Sequence, residues 1–168
     1  MTSFDAPAHG FPSSEFEGRV ARAQEIMRRY EFDALLLTTS HNIRYFTGFD
    51  SQFWESPTRP WFVVVPAEGK PMAVIPEIGA PEMERTWIDD VRSWPAPQPA
   101  DDGTSLLTAA LAQLPRRFGR VGAELGREMS LRMPVMQFLE LRDKLPGLEL
   151  DNGSPCIWEV RRVKTEGE

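Results

Sequence analysis

The chain has 168 residues and a formal net charge of −6, with 41% hydrophobic and 26% charged residues. Surface scaling at this length buries about 70% of the unfolded area, enough for one core, and the composition excludes disorder and fibrous repeats. With 25 acids against 19 bases and no dense basic stretch, nucleic acid is not an expected partner.

Residues 1–12 read as a turn-rich, flexible leader with neither the basic start nor the apolar middle of a signal peptide. Ser14 with Glu17 three residues on forms a capping-box pattern. Behind it Phe16, Val20, Ala23, Met27 and Tyr30 recur at helical spacing, and Arg28 and Arg29 favour the helix end. Asp33–Thr39 is apolar without alternation, which predicts a central strand covered on both faces. Ser40 is placed to cap a short helix through Phe46, closed by Gly48. Residues 49–60 are irregular and aromatic, hence a loop. Trp61–Val65 and Met72–Ile75 flank a Gly-containing gap and predict an antiparallel hairpin. A helix opened by Pro81 and running to Trp87 follows, then a strand over Val91–Trp94.

Residues 95–103 carry three prolines and read as a surface loop inside one domain. Beyond them lie a helix bearing Leu107, Ala110, Leu111 and Leu114, a strand over Arg120–Glu124, and a helix over Pro134–Leu145. A strand at Leu148–Leu150 and a last helix, capped by Ser154 and opened by Pro155, complete the pattern. The expected fold is α/β: a mixed sheet of five to six strands flanked by helices. The longest apolar runs are strand-sized, far short of the ~20 residues that cross a bilayer, so no membrane partner is expected. A single cysteine, Cys156, cannot form an internal disulfide and suits a reducing cytoplasm, the expected location.

Chemistry is sparse. Two histidines and one cysteine cannot build a multi-ligand metal site, so none is expected in this chain. There is no G-x-S-x-G nucleophile turn and no Gly-rich phosphate loop. Cys156 falls on a buried helix face, and His41 beside Ser40 reads as a surface imidazole rather than a base; no catalytic residue is assigned. The loop before the hairpin differs in texture. Phe53, Trp54, Arg59 and Trp61 crowd three aromatics and a guanidinium into nine residues, the types that dominate contact energy at interfaces. Trp61, at a strand start, is expected to pack on the sheet, whereas Trp54 and Arg59 are candidates for contact with a partner or substrate.

Asp33–Leu37 followed by Asn42–Phe49 resembles the first strand and helix of the amino-terminal domain of the creatinase, prolidase and Xaa-Pro aminopeptidase family. Val121-Gly122-Ala123-Glu124 resembles that family's Val-Gly-x-Glu strand, and residues 158–168 are similar to its Leu-Arg-x-Ile-Lys-Ser-x-x-Glu segment. The resemblance implies a ribonuclease-H-like domain over 13–160, with 161–168 starting a linker to a carboxy-terminal catalytic domain. It places two divalent metal ions (Mn, Zn, Co or Fe) in that second domain and none here. It further implies a homodimer in which Phe53, Trp54 and Arg59 cap the substrate site of the neighbouring subunit. The substrate would be a small peptide or small zwitterion. The parent would be a hydrolase, in first place an Xaa-Pro peptidase; a creatinase-like amidinohydrolase, a dimethylsulfoniopropionate lyase or a stand-alone binding domain are the alternatives.

Overall fold

Ala34–Leu37 forms the strand β1, and all four of its residues are buried. The reason is its position. In the computed structural model, which describes residues 10–56 and 59–165, β1 lies between two other strands with helices on both faces. The remaining strands are β2 (Phe62–Pro66), β3 (Met72–Pro76), β4 (Asp90–Trp94), β5 (Arg120–Ala123) and β6 (Glu149–Asn152). They form one six-stranded sheet ordered β4-β3-β2-β1-β5-β6. β2 pairs antiparallel with β1 and β3, whereas the β1–β5, β3–β4 and β5–β6 pairs are parallel. Five strands therefore end at one edge of the sheet, and β2 begins there.

The helices are α1 (Ser13–Tyr30), α2 (Ser40–Thr47), α3 (Ala80–Met83), α4 (Thr104–Ala112), α5 (Val135–Asp143) and α6 (Ser154–Arg162). Strand pleating divides the core. Leu35, Leu37, Val63 and Val65 meet Val20, Met27, Ile43 and Ile157 on the face covered by α1, α2 and α6. Ala34, Leu36, Phe62 and Val64 meet Leu107, Leu111 and Leu141 on the face covered by α4 and α5. Cys156 is buried on α6, and desolvation pushes its thiol up to about 12. An inert packing thiol fits this placement.

Every expected element forms, but three caps move. α1 begins after Pro12, with no side-chain cap bond. Ser14 thus lies inside the helix, and Glu15 rather than Glu17 stands in the first turn, paired with Arg19. α2 is capped by Thr39 instead of Ser40, and α6 by Gly153 instead of Ser154. In both places the hydroxyl serves a distant partner. Thr39 Oγ1 donates to Glu124, and Ser154 Oγ accepts from the Gly126 amide. The helix expected from Pro81 to Trp87 is also shorter. Thr86 Oγ1 donates to the Met83 carbonyl and accepts from the Ile88 amide, so a hydroxyl satisfies the chain where helix was expected. Gly48 closes α2 at φ 76, as its position suggested. The first nine residues of the expected leader, and 166–168 of the expected linker, lie outside the described residues.

Leu36 is fully buried opposite Val64 and Ala123. Leu36→Asp places an unpaired charge there, at a cost of several kcal/mol against a typical stability of ~5–15. The expected outcome is loss of the cooperative urea transition; a variant melting like the parent contradicts the central placement.

Candidate functional site

Parallel sheets collect loops at the carboxyl ends of their strands, and crevices form there. In this domain that edge carries Thr38 after β1, Glu124 after β5, and the segment 125–134 behind it. The loop ahead of β2 and the one following β4 reach the same edge.

Glu124 organises the edge. Its carboxylate is 1% exposed and accepts from the Thr38 and Thr39 amides, both threonine hydroxyls and Asn42 Nδ2, all between 2.5 and 2.9 Å. Asn42 is itself buried, and its Oδ1 accepts from Arg161 Nη1 at 2.6 Å. A carboxylate on one side and a guanidinium on the other thus orient the amide. Thr38 Oγ1 in turn accepts from the Arg132 amide at 3.0 Å, which ties the loop after β5 to the end of β1.

The loop before β2 is built on an aromatic trio. Phe49, Trp54 and Trp61 lie with ring centroids 5.4 Å apart in each pair. Gly79 is required beneath them, since a Cβ there would fall 2.2 Å from the Trp61 ring. Ser51 opens a 3-10 turn over Gln52–Glu55 by accepting from the Phe53 amide. Asp50 accepts from Trp54 Nε1 at 2.9 Å and pairs with Arg44 at 3.2 Å.

The three predicted contact residues separate accordingly. Trp54 is 8% exposed and faces the core, its indole N–H bound to Asp50. Phe53 is half-buried, and the Arg59 guanidinium lies 5.6 Å from its ring centroid. Arg59 also lines a cavity of about 370 Å³ at the strand ends, together with Thr38, Trp61, Asp102 and Arg132. Two buried donors on this wall, Arg59 Nε and Trp61 Nε1, have no hydrogen-bond partner among the described residues. Buried polar groups are normally satisfied, so this pair is an exception to the usual rule. Arg132 and Asp102 were not singled out from the sequence. The only signal for them was their place in loops leaving parallel strands.

His41 lies exposed on α2, its Nε2 3.3 Å from Thr39 Oγ1 rather than beside Ser40. Partial desolvation, then the charge of Arg161, hold its pKa below the usual imidazole value, with Glu124 opposing. Among the described residues no group of three or more His, Cys, Asp and Glu comes together in a way that could hold a metal, and no helix is long and apolar enough to cross a membrane.

A profile of the creatinase/prolidase N-terminal domain matches residues 19–163. An uncharacterized hydrolase/peptidase of Sinorhizobium fredii is 25% identical over 164 residues, covering 94% of this chain and 41% of that protein. The crystal structure of the dipeptidase PepE from Mycobacterium ulcerans superposes with a TM-score of 0.68 at 23% identity, over 94% of this chain and 39% of its own. A proline dipeptidase structure from Streptococcus pneumoniae superposes with a TM-score of 0.67 at 22% identity, over 86% of this chain and 98% of that one. The chain therefore spans about two fifths of the first two relatives and nearly all of the third.

Because Trp54 packs within the trio, Trp54→Ala should cost about 3–5 kcal/mol, the range for emptying a buried aromatic site. Urea denaturation checks this; a loss below about 1 kcal/mol means the trio is not a packing unit.

Proposed function

The chain belongs to the creatinase/prolidase N-terminal domain family, and on that premise we propose that it is the non-catalytic domain of a longer, metal-dependent Xaa-Pro peptidase. Its role is to build the contact between two subunits and to cap the substrate site, in a cytoplasmic homodimer. The observation that carries the reading is the character of the strand-end cavity. Its wall sets Arg59 and Arg132 beside aromatic rings and Asp102, with donors that lack a partner among the described residues, and among those residues no nucleophile paired with a base stands beside it.

Such a wall binds and orients. Arg59 and Arg132 offer forked donors that match a carboxylate, such as the terminus of a small peptide or the acid group of a small zwitterion. Phe53 holds the Arg59 guanidinium from below and excludes water, which strengthens the ion contact. Trp54 contributes by fixing the loop from beneath. The described residues do not supply a metal-ligand set. The two divalent ions would be held by the carboxy-terminal catalytic domain, where they would polarise the scissile carbonyl and activate water.

The reading predicts a division between the loop residues in the longer protein. Arg59→Ala should lower kcat/KM at least ten-fold while the thermal midpoint stays within a degree or two. Steady-state kinetics with calorimetry checks this, and unchanged kinetics refutes the capping role. Reaction class is tested by offering the longer protein an Xaa-Pro dipeptide, creatine and dimethylsulfoniopropionate in parallel. Turnover of the dipeptide alone is expected; turnover of either other compound instead replaces the peptidase assignment.

A further inference from the structure

A second concavity, of about 330 Å³, opens where α1, α2 and the end of α6 meet. Its floor is aromatic, from Phe16 and Tyr45, and its wall carries Arg19, Arg44, His41, Arg161 and Lys164. Among the described residues no carboxylate lines it, in a chain whose net charge is −6.

The cations divide into two groups. Arg19 and Arg44 already have acidic partners, Glu15 at 3.0 Å and Asp50 at 3.2 Å. Arg161 has none. Its Nη1 donates to the neutral amide of Asn42, and the carboxylate beyond that amide, Glu124, is already surrounded by donors. Lys164 and His41 likewise form no ion pair among the described residues. Among the described residues two uncompensated cations, Arg161 and Lys164, therefore share one half-enclosed space with the His41 imidazole, whose pKa is lowered first by desolvation and then by Arg161. Like charges gathered against an apolar wall focus positive potential into the concavity.

We infer that this pocket is a binding site for a small, compact oxyanion, a phosphate or a carboxylate group, held by Arg161, Lys164 and His41. Compactness follows from the aromatic floor. The Tyr45 ring already carries the Arg19 guanidinium at 4.4 Å and that of Arg161 at 5.4 Å, and Phe16 carries Arg19 at 5.3 Å. The rings are thus occupied by cations, and charge rather than stacking selects the ligand. The site is distinct from the strand-end cavity and does not depend on the capping role proposed for it.

Titration calorimetry of the 168-residue chain at low ionic strength tests this, with inorganic phosphate and acetate as probes in separate arms. A single saturable phosphate site is expected, and acetate saturation at comparable concentration would assign the site to carboxylates instead of phosphate. Lys164→Gln, at an exposed side chain without ion pairs among the described residues, should weaken the tighter probe about ten-fold, as should Arg161→Gln. Arg142→Gln, which removes an exposed cation on α5, should leave affinity unchanged. No saturation by either probe, or equal weakening by Lys164→Gln and Arg142→Gln, overturns the proposal. Binding that is present in this chain but lost in the longer protein also overturns it, in favour of an acidic contact from elsewhere in that protein.

Discussion

A buried carboxylate is tolerable only when its oxygens are met by donors, because the ion has lost its water. Glu124 satisfies that constraint with groups from the turn between β1 and α2, and the geometry of the whole strand-end edge follows. The turn is held against β5, Asn42 is oriented, and through Asn42 the guanidinium of Arg161 draws α6 to the same point. Asp33 acts alike at the other end of β1, accepting from the backbone amides of Arg117, Phe118, Gly119 and Arg120. A four-residue strand is thereby clamped at both ends by carboxylates from either side of the β1–β5 pair.

That clamp explains how so short a strand can hold in place the loops that line the strand-end cavity. Sites are more precise when the groups that position them are locked by packing and hydrogen bonds. The Arg132 amide rests on Thr38, which rests on Glu124, so one wall of the strand-end cavity is fixed to the core. The opposite wall is fixed differently, by ring packing: Trp61 and Trp54 lie against Phe49, with Gly79 leaving room beneath. Arg161, which lines the pocket beside α1, reaches the strand-end cavity indirectly, through Asn42, Glu124 and Thr38.

Much of the architecture was readable from local pattern. The helical spacing of Phe16, Val20, Ala23 and Met27 places α1, and the unalternating Ala34–Leu37 run marks the buried strand. The Gly-containing gap between Trp61–Val65 and Met72–Ile75 marks the β2–β3 hairpin. The caps were less legible. Ser14, Ser40 and Ser154 all have cap-type side chains, yet each helix starts one residue or more earlier than they suggest. At α2 and α6 the nearby hydroxyl is bound to a group far along the chain, and spacing within one helix carries no trace of such a partner. The aromatic loop shows the same limit. Its residue types marked it as a contact segment, but they could not tell Trp54, turned to the core, from Arg59, turned to a cavity.

Periodicity and turn chemistry act over a few residues, so element type, order and the one-domain reading followed from the amino-acid string, as did the resemblance carried by Asn42–Phe49 and Val121–Glu124. Side-chain partnership acts across the fold. Glu124 meets Thr38 from 86 residues away, and Arg161 meets Asn42 from 119. Which carboxylate is satisfied and which guanidinium is left facing a cavity depend on strand register and helix docking. Those arise only when the sheet assembles.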